Sequence, residues 1–203
     1  NSLYSFFFFI ELLSVLLFTN FIITTNYSYN KNFDNIGKNN ISYLNMLFYQ
    51  YWASFFSSIF FVFAIIYFHM YLGTSNLTLI NFFVTFNYLN TDYLYYFFSN
   101  IIILIVLIAF FIKIGITPIQ LYKIEVYKGL SLLTLYFYTV FYFFIFFLYF
   151  IFLILINFSG LVLNLWYILL IFLIISLFIT ITYLFNTFYL KAFFAYSSVF
   201  NSF

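Results

Sequence analysis

Runs of about twenty apolar residues recur along this chain, and each is long enough to cross a lipid bilayer as an α-helix. Only 5% of the residues are charged and 67% are hydrophobic, whereas soluble domains carry about a quarter charged residues. The runs are continuous and lack the apolar/polar alternation of β-barrel strands. The sequence therefore predicts an all-α polytopic membrane protein that forms a single membrane domain over residues 1–203.

Hydropathy divides the chain into five full spans and a partial sixth. The predicted full spans are 3–25, 44–72, 93–119, 130–155 and 161–184, and the partial span is 190–203. The partial span would be about 20 Å long as a helix, short of the ~30 Å hydrocarbon core. The apolar segment 79–89 is too short to cross and is predicted to be interfacial or re-entrant, and the Asn-rich stretch 26–41 is predicted to be a loop.

The lysines predict the orientation of the chain. Five of the six lysines fall in three junctions that this order of spans places on one side of the membrane: Lys31, Lys38, Lys123, Lys128 and Lys191. The intervening junctions contain no Lys or Arg, so the positive-inside rule places the lysine-bearing side in the matrix or cytoplasm. The sixth lysine, Lys113, belongs to no loop.

Glu11 lies near the middle of the first predicted span, where a carboxylate costs a few kcal/mol. One interpretation is a protonated, silent side chain or a structural hydrogen bond to a neighbouring helix. The other is a proton-carrying or ion-pairing site, and an intramembrane ionisable residue favours this second interpretation by default.

Lys113 ends a long apolar run, and Gly115 and Pro118 are predicted to break the helix just beyond it. Such breaks are tolerated at membrane depth where the backbone lines a polar cavity. Lys113 is therefore either an anchor that extends toward the basic side or a residue of an ion pathway. Lys123, in the predicted loop, would be about 15 Å away along a helix, too far for one side chain to span.

A carboxylate and an amine inside a membrane could together hold a proton. Burial favours the neutral amine, whereas a nearby carboxylate favours the ammonium form. A pair of Glu11 and Lys113 would therefore bind a proton with an affinity that depends on their separation, as a proton pump requires. Tyr138 and Tyr142, with Thr139, are candidates for a relay through a water wire, although they could equally cap helix–helix contacts.

Several classes of function are disfavoured by the composition. A single histidine, His69, cannot supply paired haem ligands or a copper centre, and the absence of cysteine excludes disulfides and thiolate metal sites. A net charge of only +2 lacks the excess of basic residues that nucleic-acid binding requires. No metal and no cofactor are expected on this chain. The abundance of Phe (38) and Tyr (22) against Pro (1) and Gly (5) follows AT-rich codons and indicates an organellar genome.

Three segments resemble one family. "KIGITPIQLYKIEVYKG", residues 113–129, resembles the Lys-x-Gly-x-x-Pro stretch, with its following Glu-Val and Gly, of the subunit 2 family of NADH dehydrogenase. "LKAFFAYSSVF", residues 190–200, resembles the Leu-Lys-x-x-x-Ala-Tyr-Ser-Ser segment of that family, and "FIELLSVLLF", residues 9–18, is similar to its helix with a membrane glutamate. These proteins are antiporter-like membrane subunits of respiratory complex I.

The resemblance implies roles for particular residues. Glu11 and Lys113 would be the pair that loads and releases a proton, and Gly115 with Pro118 would form the family's helix break, which lets water reach the lysine. Lys191 would match the basic residue before the Tyr-Ser-Ser helix and is a further candidate for the relay.

The resemblance also implies an assembly. The chain would be a membrane-arm subunit in the mitochondrial inner membrane, with its lysine-bearing loops in the matrix. FMN, iron–sulfur clusters and ubiquinone would be bound elsewhere in the complex. The chain would correspond to the middle of the subunit, so its partners would be the other membrane-arm subunits, the lipid bilayer and a separate chain that supplies the missing helices.

The sequence departs from the family at informative positions. Gln120 and Tyr122 stand where the family has His and Trp, and Phe143 stands where a relay lysine is expected, about thirty residues after Lys113. Phenylalanine cannot carry a proton. An alternative interpretation is therefore a structural scaffold subunit of a respiratory membrane complex that has lost proton conduction.

Overall fold

The computed structural model describes residues 2–29, 36–89, 93–115, 121–152, 159–185 and 190–200, and the regular elements in these ranges are helical. No β-strand forms there, apart from one isolated bridge between Ser2 and Asn76. A π-helical turn, Tyr138–Tyr142, joins α6 to α7. The helices are α1 Leu3–Tyr29, α2 Ile36–Leu72, α3 Leu77–Leu89, α4 Tyr93–Ile114, α5 Leu121–Gly129, α6 Leu132–Phe137, α7 Phe143–Ile151, α8 Ser159–Phe185 and α9 Leu190–Phe200.

Within the described ranges, four helical stretches are long and apolar enough to cross a membrane. They are Leu3–Thr24, Tyr43–Leu72, Phe97–Ile114 and Leu133–Ile151. The prediction of a helical membrane protein is thereby confirmed at this level. The fifth predicted span lies in α8, where the apolar stretch Leu170–Phe185 is shorter, and the partial sixth lies in α9. The count of five full spans and a partial sixth stays a prediction.

The prediction that 26–41 is a loop is wrong at both ends. Helix α1 continues to Tyr29 and α2 begins at Ile36, while residues 30–35 lie outside the described part. Once a helix has nucleated, each further residue adds a backbone hydrogen bond. The polar residues that flank the two apolar runs therefore extend the helices beyond the lengths that hydropathy alone predicts.

Helices α2 and α4 form the centre of the bundle, and α1 and α7 pack against them. Ala64 and Ala109 are fully buried, and such small side chains allow helix backbones to approach closely. The Ser57 hydroxyl donates a hydrogen bond across the interface to the Ala109 carbonyl at 2.9 Å. The Phe61 and Phe110 rings meet edge to face with centroids 5.0 Å apart. This packing fixes the end of α4, which carries Lys113.

Helix α5 lies inside the described bundle and not in a peripheral loop. It packs against α2 and α9, and its residues Val126 and Tyr127 are fully buried. Met46 of α2 and Ala195 of α9 belong to the same buried cluster. The loop predicted between the third and fourth spans is therefore partly a buried helix.

The predicted third span, 93–119, is helical only to Ile114. Gly115 follows with φ of +75°, a left-handed conformation that glycine adopts without a steric penalty, and its N–H donates to the Phe111 carbonyl at 2.9 Å. The Tyr122 hydroxyl donates to the Ile112 carbonyl at 2.5 Å, which satisfies one of the carbonyls left free at a helix end. Pro118, the other residue of the predicted break, lies outside the described residues.

The predicted fourth span, 130–155, contains α6, the π-helical turn and α7. Ser131 begins α6 as its N-cap, with its hydroxyl accepting from the Thr134 N–H at 3.4 Å. Within the π-helical turn the Phe143 N–H bonds the Tyr138 carbonyl, five residues earlier, so the turn is one residue wider than an α-turn. Residues 153–158 lie outside the described part.

Candidate functional site

The structure brings together Glu11 and Lys113, the two ionisable residues singled out inside the predicted spans. Lys113 Nζ of α4 lies 2.5 Å from Glu11 Oε1 of α1, at ion-pair distance. The lysine side chain is 2% exposed and the glutamate side chain 27%. The pair therefore forms the only ion pair within the spans that the structure describes.

Two features of the surroundings offset part of the cost of burying a positive charge on Lys113. Lys113 lies in the last turn of α4, where the partial negative charge of the helix end stabilises cations. Glu11 in turn receives a hydrogen bond from the Ser14 hydroxyl, which lies 3.2 Å from Oε2 and 2.7 Å from the Glu11 carbonyl. Ser14 thus connects the carboxylate to the cavity next to it.

A cavity of about 200 Å³ extends from Lys113 between α1, α2, α5 and the fourth predicted span. A space of this size holds several water molecules. Its wall combines hydroxyl, amide and amine groups with a few apolar side chains: Ser14, Leu17, Gln50, Ala53, Ser54, Lys113, Ile114, Tyr122, Lys123, Tyr127, Tyr138, Thr139, Tyr142, Phe143, Phe146 and Ser198. Gln50 Oε1 is buried and has no hydrogen-bond partner among the described residues.

Lys123 is the residue that the sequence interpretation missed. The span pattern predicts a loop at this position, but Lys123 is 2% exposed within α5, and its Nζ has no hydrogen-bond partner in the part of the chain that the structure describes. The loop prediction is wrong for this residue because the chain turns at Gly115 and α5 packs against the bundle. Both Lys113 and Lys123 therefore line the same cavity.

Helical periodicity within α5 carried a signal for this burial. Lys123 is followed at i+3, i+4 and i+7 by Val126, Tyr127 and Leu130, all of them fully buried. This spacing is typical of the buried face of a helix. Applied to the segment that hydropathy assigned to a loop, it would have placed Lys123 on the inner face and Lys128 outside.

The Lys123 amine lies over the ring of Phe143, with Nζ 5.3 Å from the ring centroid, within the range of a cation–π contact. Phe143 is the position at which the family resemblance led us to expect a lysine. Burial without a carboxylate partner lowers the pKa of Lys123 to about 7.

The candidate relay tyrosines, Tyr138 and Tyr142, both line the cavity. The Tyr138 ring packs against Phe21 at 5.6 Å, and the Tyr142 hydroxyl accepts a hydrogen bond from Asn20 Nδ2 at 3.1 Å. These contacts hold the tyrosines on the side of the cavity that faces α1. Neutral phenols can donate and accept hydrogen bonds together, as a water wire requires.

Tyr127 closes the opposite end of the cavity. Its hydroxyl is 2.8 Å from the Ser198 hydroxyl of α9. Burial raises the pKa of Tyr127 to about 12, so the side chain is neutral at physiological pH. The contact joins α5 to α9 through the cavity wall.

Lys191, the third relay candidate, is not in the cavity wall. Its Nζ donates to the Leu130 carbonyl at 2.8 Å and lies 3.5 Å from the Lys128 carbonyl, just beyond the end of α5. Lysines commonly bond the free carbonyls at helix C-termini in this way. Lys191 therefore ties α9 to α5, and a relay role for it stays a prediction.

The other charged side chains that the structure describes, and the histidine His69, do not line the cavity. Lys128 and Glu125 form an exposed ion pair at 2.5 Å, as expected for a solvated pair. His69 is exposed and packs edge to face against Tyr4 with a centroid distance of 6.1 Å. Among the described residues, no three His, Cys, Asp or Glu side chains come together as a metal site would require.

Comparison of the sequence with protein-family models and with curated proteins found no match. The functional assignment consequently rests on the quoted motifs and on the geometry of the pair and the cavity.

Proposed function

We propose that this chain is a membrane-arm subunit of mitochondrial NADH:ubiquinone oxidoreductase, respiratory complex I, and that it contributes to proton translocation. The observation that carries the proposal is the ion pair between Glu11 and Lys113, which lies beside the helix end at Gly115 and next to a cavity whose wall includes hydroxyl and amine groups. A buried carboxylate–amine pair at the edge of a water-sized space is what reversible proton loading requires.

The pair would work through its separation. While Glu11 contacts Lys113, the carboxylate stabilises the ammonium form and the proton stays on the lysine. If the two side chains move apart, burial favours the neutral amine, and the proton leaves through the cavity. The motion of α1 relative to α4 would thus be converted into proton release, with no redox chemistry on this chain.

The three quoted motifs support the assignment to the subunit 2 family, because they occur in the family's order over most of the chain. NADH oxidation with FMN and iron–sulfur clusters, and ubiquinone reduction, would then belong to other subunits. By the same resemblance, the chain would lie in the mitochondrial inner membrane beside the other membrane-arm subunits, with its lysine-bearing junctions in the matrix.

A second candidate function is that of a scaffold without conduction. The observation that favours it is the position of Phe143 and Phe146, two apolar side chains in the cavity wall where a proton would have to pass. Against it, hydroxyl and amine groups also line this cavity, and such groups can hold water beside the two rings. We therefore place proton translocation first.

The test compares Lys113→Met with Lys128→Met in inner-membrane vesicles that contain the assembled complex. The readouts are the protons moved per NADH oxidised and the amount of assembled complex. We expect Lys113→Met to lower the proton yield while the complex still assembles, and Lys128→Met, at an exposed lysine, to leave both unchanged. An unchanged proton yield in assembled Lys113→Met complex would refute the proposed function and favour the second candidate, a scaffold without proton conduction.

A further inference from the structure

Lys123 is a buried lysine whose amine forms no hydrogen bond or ion pair with the described residues. Its Nζ has no hydrogen-bond acceptor in the described part of the chain, yet it lies in the wall of the cavity that also contains Lys113. We propose that Lys123 is a second proton-carrying residue, which accepts the proton that Lys113 releases into this cavity. The inference rests on the proposed function and adds to it a second lysine and the direction of proton transfer, from Lys113 to Lys123.

The electrostatic surroundings of the two lysines differ. Both are buried, but Lys113 has a carboxylate partner and lies in the last turn of α4, and both features stabilise a positive charge. Lys123 has no carboxylate partner among the described residues. The proton is therefore favoured on Lys113 while Glu11 holds it, and Lys123 is the acceptor.

The groups that face Lys123 across the cavity are few. Helix α4 contributes Lys113, which is paired with Glu11 of α1. The other titratable groups in the cavity wall are tyrosines of α5 and of the fourth predicted span: Tyr122, Tyr127, Tyr138 and Tyr142. From α2 and α9 the wall receives only uncharged amide, hydroxyl and methyl groups. No carboxylate lines the cavity among the described residues, so the charge of Lys123 is governed by its burial. Burial lowers the pKa of Lys123 to about 7, within reach of a physiological proton exchange.

The transfer itself is a simple proton exchange. When Glu11 no longer holds Lys113, an N–H bond of its ammonium breaks and the electron pair remains on the Lys113 nitrogen. The proton passes along hydrogen bonds through cavity water, and a new N–H bond forms on the Lys123 amine. No electron is transferred, and the total charge of the cavity is unchanged. The Phe143 ring, 5.3 Å from Nζ, then stabilises the new ammonium through its π face.

A purely structural role does not need an amine at this position. The stem of Lys123 packs against Gly115, and an unbranched apolar side chain such as methionine would fill the same space. Lys128, five residues after Lys123 on the same helix, is paired with Glu125 at the surface and does not line the cavity, so it is a matched control lysine. Variants at these two positions therefore separate the chemistry of the amine from its packing.

The test measures protons moved per NADH oxidised in vesicles carrying the assembled complex, for Lys123→Met, Lys123→Arg, Lys113→Met and Lys128→Met. We expect Lys123→Met to cause the same loss as Lys113→Met, and Lys128→Met to cause none. Lys123→Arg keeps a cation that cannot give up its proton, so it should also lose proton yield. Phe143→Lys introduced into Lys123→Met should restore the yield, because it returns an amine to the same place.

The outcomes distinguish this inference from the proposed function. If Lys113→Met lowers the proton yield and Lys123→Met does not, the role of Lys123 is overturned while the proposed function stands. If neither lowers it, both fail. If Lys123→Met does not assemble, recovery of both assembly and proton yield with Phe143→Lys supports the inference, whereas full pumping by Lys123→Arg overturns it in favour of a structural cation.

Discussion

Gly115 and Lys123 are in direct contact across the break after α4. A Cβ atom added to Gly115 would lie 2.9 Å from Lys123 Cδ and 3.0 Å from the Tyr122 hydroxyl oxygen, so at least the lysine side chain would have to shift. Gly115 also has φ of +75°, which side chains other than glycine rarely adopt. One glycine therefore both turns the chain and makes room for the lysine that the turn brings into the bundle.

Gly115→Ala should destabilise the protein more than Gly73→Ala. Gly73 has φ of +64° with no atom within 4 Å of an added Cβ, so its substitution adds only the left-handed penalty of about 1–2 kcal/mol. Gly115→Ala adds to this a collision with Lys123 and Tyr122, which costs about 1–3 kcal/mol more. Thermal unfolding of the purified complex measures the difference, and equal effects at the two glycines would contradict the contact.

Glu11 and Lys113 should be energetically coupled. Removing one partner of a buried pair leaves an uncompensated charge, at a cost of about 3–5 kcal/mol, toward the lower end here because Glu11 is partly exposed. Glu11→Gln and Lys113→Met should each destabilise the complex, and the double variant should lose less than the sum of the two. A double-mutant cycle on thermal stability measures the coupling, and strict additivity would mean that the two side chains do not interact.

Lys123→Met should stabilise the protein even as it lowers proton yield. The folded state lowers the pKa of Lys123 from 10.5 to about 7, so between these pH values the unfolded chain binds more protons and stability rises with pH. The cost of burying the lysine is therefore fully present below about pH 7 and fades toward pH 10.5. Lys123→Met should remove this cost, with a gain of about 1–4 kcal/mol at the lower pH.

The measurement for this variant is thermal stability as a function of pH. The wild-type complex should gain stability on the alkaline side relative to Lys123→Met, and the two curves should converge as the pH rises. Lys128→Met, which removes an exposed pair contributing about 0–1 kcal/mol, should follow the wild-type profile. A pH-independent difference would mean that Lys123 does not titrate in the folded protein.

Tyr142→Phe should lower proton yield by removing a hydroxyl from the cavity wall. The same change deletes the hydrogen bond from Asn20, with a loss of about 1 kcal/mol in stability. Tyr136→Phe is the matched control, because Tyr136 lies one and a half turns earlier and is 60% exposed. Proton yield per NADH oxidised should fall for the first variant only, and equal yields would exclude Tyr142 from the pathway.

Lys191→Met should weaken the attachment of α9 and leave the proton yield of assembled complex unchanged. Its hydrogen bond to the Leu130 carbonyl stabilises the contact between α5 and α9 by about 1 kcal/mol. Limited proteolysis between α8 and α9, compared with thermal stability, measures the loosening. A lower proton yield with unchanged stability would instead indicate that Lys191 takes part in proton transfer.

The sequence was sufficient for the class of fold and for part of the site. Apolar runs predict helices at membrane length, and the high cost of Glu11 and Lys113 in lipid predicts that they contribute to a site. Lys123 could not be placed by hydropathy, because its burial depends on the path that the chain takes after Gly115. The ends of α1 and α2 were missed for a similar reason, since hydropathy marks apolar length and not the extent of backbone hydrogen bonding.

The π-helical turn sets the rotational phase of the helix that carries Tyr138, Tyr142 and Phe143. Closing this turn to α geometry without removing a residue would rotate every later side chain by about 100° about the helix axis. Phe143 would then leave Lys123, and Phe146 would leave the buried core around α4. The wider turn thus accommodates one extra residue and keeps the side chains that follow it in phase with the neighbours that they contact.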